Sequence, residues 1–210
     1  MNKLIAFGSS TILKKTAYPS LVAQRLNFEY VCRAKPTNSN HKIARMILSY
    51  QDYKPGDFIL VEWTSNIRHE FRTELGWVGS SMATYKKGTG SFEESYYQNG
   101  PGQWEYNGVY STLKEIVLAQ TFLKANNINY LFIFYPDEIL YSTLYQKPDE
   151  YIGSLIKLIN WDQFLNFNQH GFQEWCRINN YEFESDNSHP AASAHQLAAD
   201  YIIENFKIPS

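Results

Sequence analysis

A serine and a histidine near opposite ends of the chain have the residue types and neighbours needed for nucleophilic chemistry. Ser10 follows a short apolar segment and a glycine, and His189 stands three residues after Asp186. A serine hydroxyl becomes a nucleophile when a base takes its proton, and that base needs a third group to fix its tautomer. The three-residue spacing lets the carboxylate fold back onto Nδ1, which leaves Nε2 free to face a hydroxyl. We therefore expect Ser10, His189 and Asp186 to be nucleophile, base and orienting acid.

Each of these residues also has a purely structural interpretation. A serine directly after a strand often caps the helix that follows. Asp186 or Ser188 could likewise cap the last helix and leave His189 on the surface. The residues alone leave both interpretations open, so the elements that would bring the two ends together decide between them.

Apolar segments and helical patterns alternate along the chain, which is typical of a parallel sheet covered by helices on both faces. Strands are predicted at 4–7, 28–32, 58–61 and 130–135, with a short last strand at 181–183. Helices are predicted at 18–26, 42–50, 112–125, 149–159, 171–179 and 191–206. The predicted fold class is α/β, in a single domain that spans residues 1–210.

Polar segments follow the first three predicted strands, and the Asp186–His189 segment follows the last apolar one. Because sites in such sheets form at the carboxyl ends of the strands, these segments are expected at one edge. Side-chain amides and N–H groups there could stabilise an oxyanion, although each residue alone could instead form an Asx turn or a helix cap. The candidate oxyanion donors are Ser10, Thr37, Asn38, Asn40, Ser65 and Asn66.

A segment rich in glycine and aromatic residues, at about 76–110, interrupts the alternation. Long loops of this kind tend to be functional or disordered. Its aromatic rings could stack on sugars or shield a site from water, and it could equally be an interface or a self-packed insertion. The candidate substrate contacts are Trp63, Arg68, Trp77 and Trp104. For Arg68, an ion pair with Glu62 or Glu70 is an equally good interpretation.

Composition disfavours several classes of function. The net charge is −2, so there is no basic excess to neutralise phosphates, and no nucleic-acid partner is expected. The two cysteines and the scattered histidines have no metal-binding spacing, so no metal or cofactor is expected. No apolar segment is long enough to span a membrane. The first seven residues are too short for a signal peptide, and we expect a cytoplasmic protein.

These motifs resemble those of the SGNH/GDSL hydrolase superfamily. Ser10, in the run Phe7-Gly8-Ser9-Ser10-Thr11, matches the nucleophile of the Gly-Asp-Ser block, and Asp186 and His189 match the last Asp-x-x-His block. The resemblance implies a three-layer sandwich with a flavodoxin-like parallel sheet, and a triad that needs no metal. Ser9 departs from the family's aspartate, and the second and third blocks lack their usual glycines, which puts the oxyanion hole in question.

The resemblance implies a serine esterase that hydrolyses a small acyl ester, such as an acetyl ester of a carbohydrate. One alternative is a hydrolase-shaped protein that binds glycans or has a structural role without turnover. The second and third segments resemble those of divergent members carried by bacteriophages, which would imply association with a virion. A further alternative is an O-acyltransferase, because the same triad serves transfer to a sugar. The sequence does not indicate an oligomeric state.

Overall fold

The computed structural model describes residues 1–73, 76–81 and 103–208 of the 210-residue chain, with side chains for 1–70 and 105–208. Its strands are β1 (Lys3–Phe7), β2 (Glu29–Cys32), β3 (Phe58–Trp63), β4 (Arg68–Thr73), β5 (Gly76–Ser81) and β6 (Asn129–Phe134). Its helices are α1 (Tyr18–Arg25), α2 (Asn40–Ser49), α3 (Gln103–Ala125), α4 (Glu138–Tyr141), α5 (Thr143–Gln146), α6 (Glu150–Leu158), α7 (Phe172–Ile178) and α8 (Ala192–Asn205).

Four parallel strands form the central sheet in the order β2-β1-β3-β6. Leu4 of β1 lies opposite Tyr30 on one side and Phe58 on the other, and the register continues along both pairs. The chain first extends the sheet from β1 to β2 and then reverses direction to add β3 and β6, which is the flavodoxin-like order. The predicted α/β class and parallel sheet are confirmed.

The sheet is covered on both faces because its side chains alternate between two apolar clusters. Leu4 and Ala6 point into one cluster, with α1, α7 and α8, while Ile5 and Phe7 point into the other, with α2, α3 and α6. Strand β3 is buried along its whole length. This continuous burial explains why β3 is apolar except for Glu62, and it makes the sheet a rigid base for residues at its edge.

Several elements differ from the sequence-based prediction, which also did not include the short helices α4 and α5. Helix α3 begins at Gln103, nine residues before the predicted start, and Thr112 lies inside it. There the Thr112 hydroxyl accepts a hydrogen bond from the side-chain amide of Asn40. It therefore links α3 to α2 instead of capping the start of a helix. The hairpin of β4 and β5 was not predicted, because its polar residues and glycines do not give the regular alternation of apolar and polar residues that indicates a strand. Residues 181–183 form only an isolated bridge between Phe183 and Pro190.

Part of the predicted insertion at 76–110 lies outside the described residues, namely positions 82–102. Its described ends are β5, which pairs with β4 in an antiparallel hairpin, and the first turns of α3. Within the described ranges, no helix combines the length and the apolar character needed to cross a bilayer.

Two helical glycines provide a test of how closely α3 approaches the sheet edge. A Cβ added to Gly108 of α3 would lie 2.4 Å from the backbone carbonyl oxygen of Asn66, whereas one added to Gly153 of α6 would meet only Pro148 at 3.6 Å. We expect Gly153→Ala to stabilise the fold by about 0.5–1 kcal/mol, as alanine usually does in a helix. We expect Gly108→Ala to destabilise it by about 1–3 kcal/mol, because backbone must shift.

Urea unfolding of the two variants measures both effects. If Gly108→Ala were stabilising to the same degree as Gly153→Ala, the described contact between α3 and the segment after β3 would be wrong.

Candidate active site

Ser10 lies on a tight turn just after β1, at the carboxyl edge of the sheet. Ser9 is extended, and Ser10 opens a 3₁₀ turn that ends at Ile12. The turn passes close to β3, since a Cβ on Gly8 would lie 3.0 Å from the Cβ of Glu62 and 3.2 Å from its carbonyl oxygen. Glycine is therefore needed at position 8. The turn sits where the sheet order reverses between β1 and β3, which is where open α/β sheets place their ligands.

His189 is presented by a loop that Asp186 organises. One carboxylate oxygen of Asp186 accepts the backbone N–H groups of Ser188, at 2.9 Å, and His189, at 3.0 Å. The other oxygen is hydrogen-bonded to Nδ1 of the His189 ring. The two N–H groups and the imidazole hold the pKa of Asp186 well below its usual range, so this carboxylate stays ionised around neutral pH. It fixes both the loop and the ring.

The two ends of the chain meet at this edge. The Oγ of Ser10 lies 2.9 Å from Nε2 of His189, across 179 residues of sequence. Because ionised Asp186 can only accept, Nδ1 of His189 must carry the proton of that hydrogen bond. In the neutral imidazole, Nε2 is then the acceptor, and the Ser10 hydroxyl donates to it. The three groups are connected in the order that a nucleophile, a general base and an orienting carboxylate require.

A second set of hydrogen bonds holds the histidine loop against the sheet. The Tyr135 hydroxyl, just after β6, donates to the backbone carbonyl of Ser188. Gln173 of α7 donates to the same carbonyl at 3.1 Å and lies 3.2 Å from the Tyr135 hydroxyl. Burial raises the pKa of Tyr135, so its hydroxyl remains a donor. Neither residue was predicted from the sequence, although Tyr135 ends a predicted strand at the functional edge.

A buried carboxyl lies beneath the serine turn. Glu62 of β3 is fully buried. It accepts hydrogen bonds from the Tyr18 hydroxyl, at 2.9 Å, and from Ser9, at 3.5 Å. Burial raises the pKa of Glu62 to about 7, and its hydrogen-bond donors only partly offset this effect. Ser9 therefore faces a carboxyl from the neighbouring strand.

A cleft of about 220 Å³ opens beside Ser10 and His189. It is smaller than the 300–1,000 Å³ of typical pockets for drug-sized ligands, so it suits a small group. Its walls come from the 3₁₀ turn, the segment after β3, the end of β6, α7 and the histidine loop. The lining residues are Ser10, Thr11, Thr64, Ser65, Ile67, Arg68, Tyr135, Pro136, Glu138, Gln173, Ser188 and His189.

Three of the expected oxyanion donors are occupied or lie elsewhere. The side-chain amide of Asn38 donates to the Gly8 carbonyl at 2.8 Å. The amide of Asn40 donates to the Thr64 carbonyl and the Thr112 hydroxyl, both at 2.9 Å. Thr37 is exposed, with φ of +59°, and its hydroxyl donates to Pro36. None of the three lines the cleft, and the amides of Asn38 and Asn40 instead fix the second segment to the ends of β1 and β3.

The segment after β3 supplies the cleft with other groups. Ser65 lines the cleft, and its hydroxyl donates to Glu138 at 2.7 Å. Asn66 lies in an adjoining polar cavity beside Gly108 and not in the cleft. Thr64 was not predicted, yet it lines the cleft, and its buried hydroxyl has no hydrogen-bond partner in the described part of the chain. Its place directly after a buried strand could have indicated it.

The residues expected to contact the substrate lie in different parts of the structure. Trp63 is fully buried and packs edge-on against Phe132 at 5.4 Å, so it belongs to the core and cannot contact a ligand in the cleft. Arg68 lines the cleft. The side chains of Trp77 and Trp104 lie outside the described residues. Across the described ranges, no cluster of three or more His, Cys, Asp or Glu side chains has a metal-binding arrangement.

Comparison with known proteins rests on structure alone, since no family model matches the sequence and no curated protein is similar to it. The esterase EstA from Pseudoalteromonas sp. superposes with a TM-score of 0.55 at 12% identity, over 97% of this chain and 96% of that one. The acetylxylan esterase Axe2 from Geobacillus stearothermophilus gives 0.54 at 12% identity, over 100% and 97%. A protein described as lipolytic and of the G-D-S-L family, from Desulfitobacterium hafniense, gives 0.53 at 12% identity, over 97% and 99%.

The chain has the SGNH/GDSL hydrolase fold. The superpositions cover nearly all of it, including its four parallel strands and the helices on both faces of the sheet. In this SGNH fold, the serine turn after β1 and the Asp-x-x-His loop before the last helix stand at the carboxyl edge of the sheet.

Stability should depend on pH through Glu62. Its pKa rises from an ordinary 4.5 to about 7 on folding. The stabilising contribution of Glu62 to the free energy of unfolding is therefore fully present below about pH 4.5 and is lost as the pH rises through about 7. The shift corresponds to about 3 kcal/mol. The free energy of unfolding of Glu62→Gln, minus that of the parent, should therefore increase by about that amount as the pH rises from about 4.5 to about 8.

Urea unfolding of both proteins over this range makes the measurement. All other titrating groups are shared by the two proteins and cancel in the difference. Parallel curves would show that the Glu62 carboxyl is not desolvated in the folded state.

Proposed function

We propose that this protein is a serine esterase that hydrolyses esters of small acyl groups. The observation that carries the proposal is the hydrogen-bonded series Ser10–His189–Asp186, with 2.9 Å between Ser10 Oγ and His189 Nε2, beside a small cleft. A hydroxyl, an imidazole and a carboxylate in this order form the arrangement that unrelated serine hydrolases share. The SGNH fold, whose superposed structures include esterases, agrees with it.

In the first half of the reaction, Ser10 Oγ attacks the ester carbonyl carbon while Nε2 of His189 takes the hydroxyl proton. The resulting tetrahedral intermediate carries a negative oxygen. His189 then returns the proton to the leaving alcohol, and the bond between the carbonyl carbon and the alkoxy oxygen breaks to give an acyl-serine. Asp186 keeps the imidazole in one tautomer and stabilises the imidazolium that forms.

Donors for the oxyanion come from the described edge of the cleft. The backbone N–H groups of Ser10 and Ser65 make no hydrogen bond within the described part of the chain. The Thr64 hydroxyl is likewise unpaired. These groups can serve in place of the Asn38, Asn40 and Asn66 amides, and each such donor contributes about 10²–10³-fold to turnover.

In the second half, water replaces the alcohol, with His189 again as base, and the acid is released. The small cleft favours a short acyl group such as acetyl. One of the superposed enzymes, Axe2, is an acetylxylan esterase, so an acetyl group on a carbohydrate is the natural substrate we infer.

Hydrolysis of para-nitrophenyl acetate tests the nucleophile. We expect the purified protein to release para-nitrophenol and Ser10→Ala to lose at least about 10³-fold in kcat, since no other group can form the acyl intermediate. Ser9→Ala is the matched control. It removes the neighbouring hydroxyl, which is buried against Glu62, and should retain activity. A Ser10→Ala protein as active as the parent would refute the proposal.

The orienting role of Asp186 has its own test. Asp186→Asn keeps the size of the side chain but places an amide opposite Nδ1, which favours the wrong tautomer of His189. We expect kcat to fall by about 10³–10⁴-fold with little change in KM. Steady-state kinetics on the same ester measure both constants. A loss that appeared in KM alone would show that Asp186 does not orient the base.

A further inference from the structure

Arg68 brings a positive charge to the cleft of Ser10 and His189. It opens β4, five residues after the end of β3, and lines the same cleft. Its Nη1 is buried without a hydrogen-bond partner, and no ion pair of this guanidinium exists in the described part of the chain. Burying charge without a partner is costly. A ligand that supplies an anion would remove that cost.

Both carboxylates that could have paired with Arg68 are engaged elsewhere. Glu70 pairs with Arg45, with nitrogen–oxygen distances of 3.1 and 3.4 Å. Glu62 accepts the hydroxyls of Tyr18 and Ser9 beneath the serine turn. Arg68 therefore does not form the internal ion pair with Glu62 or Glu70 that the sequence allowed.

The remaining groups that face Arg68 do not neutralise it. Its electrostatic neighbours are Glu62, Tyr135 and Glu138. Burial raises the pKa of Glu62 to about 7, so its charge is incomplete at neutral pH. Tyr135 is an uncharged donor to the histidine loop. Glu138 is exposed and accepts the Ser65 hydroxyl, so water and that hydroxyl screen its charge.

We propose that Arg68 binds an anionic group of the substrate, so that the esters preferred by this site carry a carboxylate, sulfate or phosphate close to the scissile bond. The inference rests on the proposed esterase function and narrows its substrate class. A guanidinium offers a planar pair of donors that matches such oxyanions. The cleft holds the anion on the Arg68 side while the carbonyl meets Ser10.

A matched pair of acetate esters tests the proposal. meta-Acetoxybenzoate and meta-acetoxybenzamide share the acyl group and nearly the same leaving group, and differ in one negative charge. We expect kcat/KM to favour the carboxylate by about 10–100-fold, the usual effect of a hydrogen bond between charged groups. Arg68→Gln should reduce this ratio to near one, and Arg68→Lys should keep part of it. Arg25→Gln, which removes an arginine paired with Asp200 outside the cleft, should leave the ratio unchanged.

The outcomes separate the substrate class from the function. Hydrolysis of both esters at equal rates by the parent protein would overturn the role of Arg68 and leave the esterase intact. Equal losses on both esters in Arg68→Gln would place Arg68 at the reacting carbonyl and also overturn the proposal. If Arg68→Gln did not fold, the ratio in the parent should still fall between about 0.05 and about 0.5 M NaCl, and a constant ratio would count against it.

Binding to the Ser10→Ala protein removes the dependence on turnover. Calorimetry should detect tighter binding of meta-acetoxybenzoate than of the benzamide, by about 10-fold or more. Equal affinities would reject the anion site whether or not the parent protein is an esterase.

Discussion

The hydrogen bond between Ser10 and His189 is the interaction on which the functional interpretation depends. It joins residues 179 positions apart at 2.9 Å, so the whole sheet has to form before the two groups can meet. Each partner is fixed by its own local device. Gly8 lets the serine turn approach β3 closely, and Asp186 closes the histidine loop through two backbone N–H groups. The Tyr135 and Gln173 hydrogen bonds to Ser188 then hold that loop against the end of β6.

Two charged side chains, Glu62 and Arg68, lie close to Ser10 and His189. Below the serine turn lies a buried glutamate, Glu62 of the neighbouring strand β3, which accepts hydrogen bonds from Ser9 and Tyr18. Beside the cleft, Arg68 has no ion-pair partner among the described residues, because Glu70 is paired with Arg45 and Glu62 accepts hydroxyl groups. A Glu62 that is only partly ionised at neutral pH, and a guanidinium without an ion-pair partner among the described residues, suit both a developing oxyanion and an anionic substrate.

Most of the fold could be predicted because its signals are local. The apolar runs of β1, β3 and β6 and the periodicity of α1, α2 and α8 follow from burial on both faces of one sheet. The start of α3 and the β4–β5 hairpin could not be predicted, since glycine and polar residues there give no period. The triad candidates Ser10, Asp186 and His189 followed from spacing. The oxyanion candidates Asn38 and Asn40 did not reach the cleft, because only tertiary structure shows that their amides bind backbone carbonyls.

Mass spectrometry after treatment with a fluorophosphonate tests the central claim most directly. The reagent forms a stable bond only with a serine hydroxyl activated by a neighbouring base. If Ser10 is activated by His189, the folded protein should carry one phosphonyl group, on the peptide that contains Ser10, and protein unfolded in urea should carry none. A folded protein that stays unlabelled, or one labelled on Ser9 instead, would contradict the assignment of Ser10 and His189 as nucleophile and base.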